Sequence, residues 1–330
     1  MNLNSYISKN TKRIAMPIMT HPGIEYIGKR VVDAVTDGDV HFEAIRSVVE
    51  RYNMAACTVI MDLTVEAEAF GAKIDFPEHE VPHVTERLVA DADAVNSLQI
   101  PELTAGRLPE YLKANQRAVE YFQDRPVLAG CIGPFSLAGR LYDMSEIMVA
   151  IYIEPDTIQQ LLEKCTTFLV NYCRRLKEIG VSGVIMAEPA AGLLSNDDCY
   201  AYSTVFVKRI VDELQDENFS IILHNCGNTG QCTGAMIESG AMALHFGNAV
   251  DMVSTLEQCP ADIWVMGNLD PVGVLKQADA LQVYEHTLDL LQKTAAYPNF
   301  ILSSGCDMPP GVPEENIQAF YRALEQFNSK

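Results

Sequence analysis

The chain has 330 residues, of which 48% are hydrophobic, and its formal net charge is −20. This length and composition suffice for a large core, while the acidity excludes the basic surface of a protein that binds nucleic acid or anionic membranes. No apolar run approaches the roughly 18 residues of a membrane span, and no secretory leader is visible at the start. Nine cysteines in so long a chain favour a reducing compartment, so we expect a cytoplasmic protein.

Eight short apolar runs alternate with longer amphipathic patterns along the chain. Their near-continuous apolar character is typical of strands that are buried on both faces of a parallel sheet. The predicted strands are residues 13–20, 56–64, 126–135, 182–189, 219–226, 242–248, 262–271 and 299–307.

The clearest helical pattern begins at Pro155 and carries apolar residues at 3.6-residue spacing until Gly180, a typical helix end. Another helix is predicted from about Pro313. Eight strands, each followed by a helix, favour an α/β fold of the (β/α)8 TIM-barrel type, built as a single domain over residues 1–330. An open doubly wound sheet is the alternative, although the sequence contains neither a G-x-G-x-x-G after a strand nor a P-loop.

Residues 72–123 are long for one connection. We expect them to form an extra helical excursion over the C-terminal mouth of the barrel. Active sites of such barrels lie at the carboxyl ends of the strands. The polar residues predicted there are Asp62, Glu188, His224, Cys226, Asn248, Asp270, Cys306 and Asp307.

His224, Cys226 and Cys306 form the most informative group. His224 and Cys226 are alternate residues of one predicted strand, so their side chains point to the same face, and Cys306 follows the last strand. Two thiolates and an imidazole are a known ligand set for catalytic zinc, and sulfur ligands disfavour Mg²⁺, Ca²⁺ and Mn²⁺. The alternative is structural: two small buried cysteines beside a core histidine.

Zinc with two thiolate ligands would be a poor Lewis acid toward water, because the cysteinates offset its charge. Such a site suits another task, which is to bind an incoming thiol, lower its pKa and hold it as a thiolate nucleophile. The ligand set therefore favours alkyl transfer to sulfur over hydrolysis.

Several segments at these positions are similar to motifs of one family: MDLTVEAEAFGAKIDFPEHEVPHV, GCIGPFSLAGRL, AEPAAGLLS, HNCGNTG and SSGCDMPPGVPEENIQAF. They resemble the uroporphyrinogen decarboxylase superfamily and, within it, the methylcobamide:coenzyme M methyltransferase branch. The resemblance implies a (β/α)8 barrel that binds Zn²⁺ through an H-x-C pair and a distant cysteine, here His224, Cys226 and Cys306. It also implies a methyl-corrinoid donor on a separate carrier protein and a small thiol acceptor, such as coenzyme M.

The decarboxylases of this superfamily carry an Arg-Gln-Ala-Gly-Arg stretch after the first strand, which grips substrate carboxylates. The corresponding stretch here reads PIMTHPGIEYIGKR, with Lys29 and Arg30 only at its far end. Porphyrinogen decarboxylation is therefore disfavoured. Two alternatives stay open: a metal-free decarboxylase of another polycarboxylate, with Asp62 as its key group, and a non-enzymatic corrinoid- or tetrapyrrole-binding protein.

Asp62 and Glu188 are the predicted catalytic residues. Asp62 would line the cavity above the metal, and Glu188 is a candidate fourth ligand that yields to the thiol. His245 or solvent could take that position instead, although the position of His245 before the end of its strand favours a core role. Asp307 would orient a ligand from outside the coordination sphere. His21 and His83 are expected to be solvated, and Cys232 to pack in the interior.

Overall fold

The computed structural model describes residues 1–52 and 54–329. In this part of the chain, seven strands form one parallel sheet and two further strands form an antiparallel pair. The strands are β1 Cys57–Thr58, β2 Ile74–Asp75, β3 His83–Val84, β4 Val127–Ile132, β5 Gly183–Ala187, β6 Ser220–Asn225, β7 Ala243–Phe246, β8 Trp264–Leu269 and β9 Phe300–Ser304. The parallel sheet has the order β1-β4-β5-β6-β7-β8-β9, and β2 pairs with β3. The molecule is thus of the α/β class, as the sequence predicts.

Helices occupy most of the connections between these strands. The α-helices are α1 Leu3–Lys9, α2 Thr20–Tyr26, α3 Val31–Thr36, α4 Gly38–Tyr52, α5 Val65–Ala69, α6 Ala92–Ser97, α7 Leu108–Tyr121, α8 Pro134–Tyr142, α9 Met144–Ile153, α10 Pro155–Ile179, α11 Asn196–Cys199, α12 Val205–Leu214, α13 Thr233–Glu238, α14 Met252–Gln258, α15 Ala280–Lys293 and α16 Glu314–Asn328. A 3₁₀-helix, Pro189–Leu193, follows β5, and a π-helical turn, Tyr200–Thr204, joins α11 to α12. Within the described residues, none of the helices has the length and apolar character that crossing a bilayer requires.

The predicted long helix is confirmed as α10. Its apolar stripe is buried from Ile158 to Leu176, and Gly180 ends it in the left-handed conformation with φ +101°. The predicted last helix is likewise confirmed, as α16.

The first predicted strand, residues 13–20, pairs with β9 only through a parallel bridge near its start. Further along, the amide of Ile18 donates to the hydroxyl of Ser304, and the amide of Thr20 donates to the carboxylate of Asp307. Because side-chain oxygens accept the hydrogen bonds of these two amides, a regular β-ladder does not extend beyond the bridge. The predicted strand 56–64 is also shortened, to β1.

The segment 72–123 combines short strands with helices. It contains the β2–β3 pair and the short helix α6, but its second half is α7, which packs against α4 and α10 as an ordinary helix on the outside of the sheet. The part that departs from the strand–helix alternation is therefore residues 72–107.

A small apolar cluster lies inside the curved sheet, apart from the larger core between sheet and helices. Its buried members come from α1, from the segment 13–20, and from every strand of the sheet or the residue before it: Leu3, Ile7, Met16, Ile18, Ala56, Leu128, Ile185, Ile222, Ala243, Met266 and Ile301. Helix α1 covers the amino ends of the strands, where the indole of Trp264 donates to Asn4 over 2.8 Å.

Candidate metal centre

The structure brings His224, Cys226 and Cys306 together at the carboxyl ends of β6 and β9. One ligand atom from each of the three lies within 4.8 Å of the other two. The distance from Cys306 Sγ to His224 Nε2 is 3.7 Å. The imidazole of His224 is 2% exposed, whereas both cysteines are partly exposed. Solvent therefore reaches the group from the thiol side.

Glycines allow the loops around this group to come close. Gly247, just after β7, lies against Cys226 so tightly that a Cβ at this position would be 2.8 Å from the Cα of Cys226. Gly192 of the 3₁₀-helix contacts the backbone of Gly227 and Asn228, in the loop after β6. The position of Cys226 is thus fixed by backbone on two sides.

The two thiols lie close enough to influence each other's ionisation. Their interaction lowers the pKa of Cys226, and together with burial it raises the pKa of Cys306. The pair consequently favours one retained proton, and a cation placed between the sulfur atoms would substitute for that proton.

The dimensions of the group fit a tetrahedral metal ion. Zinc–sulfur and zinc–nitrogen bond lengths imply a separation of about 3.6 Å between two tetrahedral ligands, close to the 3.7 Å between Cys306 Sγ and His224 Nε2. Two sulfur atoms and one imidazole nitrogen suit a soft or borderline metal, such as zinc. The three residues could therefore hold zinc with its fourth position free.

His245 lies beside this group, directly across the β6–β7 pair from His224. Its Nδ1 is 2.7 Å from His224 Nδ1, and its Nε2 is 2.8 Å from Ser303 Oγ. The hydroxyl of Ser303 also lies 2.8 Å from the carbonyl oxygen of Met16. Both ring nitrogens of His245 thus have partners within the protein. Ser303 was not predicted from the sequence, although its place in SSGCD, three residues before Cys306, was a usable signal.

Asp62 lies in a separate buried network. One carboxylate oxygen accepts from the amide of Thr64 over 2.7 Å, and the other accepts from the Tyr111 hydroxyl over 2.6 Å and from the Arg107 guanidinium. Burial alone would raise the pKa of Asp62, but Arg107 and these hydrogen bonds bring it below its usual value. Arg107 was not predicted from the sequence, and no local pattern marks it, because its partner is 45 residues away in the chain.

Glu188 is also placed outside the group of three. Its carboxylate accepts from the amides of Phe135 and Ser136 at 2.8 and 3.3 Å, at the start of α8. Gly133 permits this approach, because a Cβ there would collide with Glu188. Burial raises the pKa of Glu188 to about 8, although these hydrogen bonds act in the opposite direction.

The other polar candidates, Asp307, His83 and His21, differ in their exposure to solvent. The amide of Thr20 donates to Asp307, next to Cys306, and burial raises the pKa of Asp307 to about 7. His83 is exposed, as expected. The expectation that His21 is solvated is wrong: His21 is 6% exposed, because Gly23 lets α2 pack closely onto α4.

Cys232 packs in the interior, as predicted, with its Sγ 3.3 Å from the carbonyl oxygen of Leu194. Six other cysteines are also buried: Cys57, Cys131, Cys165, Cys173, Cys199 and Cys259.

Comparison with known proteins gives one family. The model of the uroporphyrinogen decarboxylase (URO-D) family matches residues 10–327. The methylcobamide:CoM methyltransferase MtbA of Methanosarcina mazei is 27% identical over 276 residues, which cover 82% of this chain and 80% of that protein. A uroporphyrinogen decarboxylase of Legionella pneumophila is 24% identical over 286 residues, which cover 84% of this chain and 80% of that protein.

A solved structure of a methyltransferase from Methanosarcina mazei superposes with a TM-score of 0.89 at 21% identity, covering 98% of this chain and 97% of that one. This likeness shows a shared fold. Because methyltransferases and decarboxylases match at similar identity, the residues at the carboxyl ends of the strands must distinguish the two activities.

Proposed function

The chain belongs to the uroporphyrinogen decarboxylase family, and from this premise we propose that it is a zinc-dependent methyltransferase. It moves a methyl group from a methylated corrinoid protein to a small thiol, coenzyme M or a similar compound. The observation that carries this proposal is the convergence of His224, Cys226 and Cys306. The relative MtbA, whose name describes transfer between a methylcobamide and CoM, supports the direction of the reaction.

The three residues would hold zinc through Nε2 of His224 and the two Sγ atoms. When bound, zinc supplies the positive charge that keeps a substrate thiol ionised near neutral pH. The buried imidazole anchors the inner side of the group, and the partly exposed cysteines leave the outer side open to the thiol.

In the transfer itself, the substrate thiolate attacks the methyl carbon in line with the carbon–cobalt bond. The sulfur–carbon bond forms while the carbon–cobalt bond breaks, the electron pair stays with cobalt, and the thiol proton leaves to solvent. The chain contributes orientation and exclusion of water from the reacting atoms.

The proposed fold is a closed barrel, which requires one strand more than the seven of the observed sheet. We infer that the sheet closes into a (β/α)8 barrel, a single domain over residues 1–330, with the segment 13–20 as its eighth strand. The bridge of this segment to β9 and its share in the interior cluster support closure. The contact of Arg107 with Asp62, just after β1, supports a position of residues 72–107 over the mouth.

Asp62 and Glu188, the predicted catalytic residues, have a second interpretation as positioning residues. Asp62 ties the chain after β1 to Arg107, and Glu188 holds the start of α8. A cytoplasmic location also remains the proposal, in accord with nine unpaired cysteines.

The decarboxylase alternative has less support. Binding of a polycarboxylate needs free cations, but Arg30 pairs with Asp33 at 2.7 Å and with Glu78 at 2.8 Å. The carboxylate of Asp62, its key group, is occupied by hydrogen bonds from the chain itself.

Metal analysis of the purified protein tests the proposal. We expect about one zinc ion per native chain and loss of that metal in Cys306→Ala, since one of three ligands is removed. Cys232→Ala is the matched control, because this buried cysteine is close in sequence to the H-x-C pair but contacts backbone carbonyls instead. It should retain the zinc. The native protein should be colourless; a pink or red preparation would favour a corrinoid carrier.

The same three proteins are then assayed for methyl transfer from methylcobalamin to coenzyme M and to homocysteine. Transfer by the native protein and Cys232→Ala, but not by Cys306→Ala, is the expected pattern. Metal-free native protein, or CO₂ release from uroporphyrinogen without any methyl transfer, would reject the proposal.

A further inference from the structure

We propose that His245 and Ser303 are positioning residues that fix the tautomer of His224, so that its Nε2 lone pair always faces the two cysteines. This inference rests on the proposed function only in naming a metal as the group that uses the lone pair. It follows from deciding which atom carries the hydrogen in each hydrogen bond of the series that runs from Met16 through Ser303 and His245 to His224.

The series is anchored at the carbonyl oxygen of Met16, which can only accept. Ser303 Oγ lies 2.8 Å from it, so the single hydroxyl proton of Ser303 points to Met16. Toward His245 Nε2, also at 2.8 Å, the hydroxyl oxygen is consequently an acceptor. The Nε2 of His245 therefore carries a hydrogen.

A neutral imidazole with a hydrogen on Nε2 has a lone pair on Nδ1. The Nδ1 of His245 is 2.7 Å from the Nδ1 of His224, so His224 must donate there. With its hydrogen on Nδ1, His224 has its lone pair on Nε2, the nitrogen that lies 3.7 Å from Cys306 Sγ. This is the tautomer that a metal ligand requires.

The surroundings keep His245 neutral. It is 0% exposed, and no carboxylate in the described part of the chain bonds to it. A cationic His245 would carry hydrogens on both ring nitrogens, so His224 could no longer donate to it. A buried environment that disfavours this charge is therefore part of the arrangement.

The three polar residues of the series form a layer directly above the apolar interior. His224, His245 and Ser303 each come two residues after a member of the interior cluster, hence on the same face of their strands. The cluster members concerned are Ile222, Ala243 and Ile301. The buried members of the interior cluster thus offer no side-chain hydrogen-bond donor that competes with the series from below.

The test compares two substitutions of similar size at position 245. Asn in His245→Asn keeps an oxygen that can accept from His224 Nδ1, whereas Leu in His245→Leu removes the acceptor. Zinc affinity is measured by competition with a chromophoric chelator. We expect His245→Leu to lose about 10- to 100-fold in affinity, the usual effect of removing a partner of a metal-bound histidine, and His245→Asn to recover most of it. Ser303→Ala should give a smaller loss.

A second measurement needs no substitution. In metal-free native protein labelled with ¹⁵N-histidine, long-range ¹H–¹⁵N spectra report which nitrogen of His224 carries the hydrogen. We expect Nδ1–H only, and a mixture of tautomers in His245→Leu. If that variant does not fold, the native spectrum and His245→Asn still decide the question.

The outcomes separate this inference from the proposed function. Native protein that binds no zinc contradicts the proposed function, whatever the tautomer of His224. Native protein that binds zinc, with unchanged affinity in His245→Leu or with a hydrogen on Nε2 of His224, overturns only the role of His245 and Ser303.

Discussion

Gly247 is the residue whose small size most directly serves the proposed metal centre. Its Cα faces the backbone of Cys226, and a Cβ would lie 2.8 Å from both the Cα and the carbonyl oxygen of that cysteine. Backbone atoms cannot move aside as the end of a flexible side chain can. Glycine is therefore required here for space, since any larger residue displaces Cys226, a proposed ligand.

We predict that Gly247→Ala lowers zinc affinity more than it lowers the stability of the metal-free protein, because the displaced atoms belong to Cys226. Chelator competition and urea unfolding measure the two effects. Gly234→Ala is the control: it lies in α13, where the nearest neighbour of a new Cβ is the end of the Asn196 side chain at 3.2 Å. Equal zinc affinity in both variants would refute the prediction.

At the scale of single residues, the sequence predicts the candidate metal ligands but not the hydrogen-bond partners that orient them. Alternation along a strand sufficed to place His224 and Cys226 on one face, and the motif pattern added Cys306. His245 remained ambiguous, because its function depends on Ser303, which is 58 residues away. Buried hydrogen-bond partners that are distant in sequence leave no periodic signal.

At the scale of elements, the short helix α5 carries a carboxylate with little solvation. Glu66 is 1% exposed; one oxygen accepts from the Ile132 amide over 3.0 Å, and the other has no partner within the described residues. Burial raises its pKa from 4.5 to about 7. The folded protein thus holds this proton more tightly than the unfolded chain does.

The sign of the resulting pH dependence follows from linkage. Between about pH 4.5 and pH 7 the unfolded chain has released the proton of Glu66 while the folded protein retains it, so stability falls as pH rises through this range. The loss from this group is of the order of 3 kcal/mol. Above pH 7 the contribution becomes constant.

We predict that Glu66→Gln flattens this dependence, because its side chain does not titrate. The free energy of unfolding is measured in urea at pH 5 and pH 8 for native protein and variant. The difference between the two pH values should be smaller in Glu66→Gln than in the native protein, and the same substitution at the surface residue Glu325 should leave it unchanged. Equal differences in all three proteins would exclude a role of Glu66.

The secondary structure was predictable where one pattern governs a whole element. The stripe of α10 and the apolar runs of β4 to β9 are examples. The segment 13–20 has an apolar pattern too, but Ser304 and Asp307 take amides that a longer ladder would use. Competition of side chains for backbone amides is a tertiary effect, invisible in the local sequence.

At the scale of the whole molecule, large apolar side chains are exposed on α9 and on the 3₁₀-helix after β5. Val149, Tyr152 and Ile153 of α9 are 55, 67 and 68% exposed, and Leu193 of the 3₁₀-helix is 68% exposed. The residue before Leu193 accepts from Gln231, in the loop that follows Cys226. Apolar surfaces of this kind mark protein interfaces, and the proposed reaction requires a corrinoid protein at this end of the molecule.

We predict that the double substitution Ile153→Asp and Leu193→Asp raises the KM for the methylated corrinoid protein about tenfold or more, since buried charges oppose docking. Transfer from free methylcobalamin should be unaffected. Leu281→Asp is the matched control, because Leu281 is 65% exposed on α15. An unchanged KM would contradict the prediction, and so would a change in oligomeric mass alone, which would assign these exposed side chains to a contact with a second copy of the chain.

Helix α1 has a consequence for the order of events. Because Leu3 and Ile7 close the interior at the amino ends of the strands, the thiol and the corrinoid protein share the opposite entrance. In the proposed reaction we therefore expect the small thiol to bind first, since a docked protein would block its way, and the methylated product to depart after that protein has left. Turnover of the proposed enzyme thus follows a compulsory order in which the thiol binds first, because a helix closes the far end of the molecule.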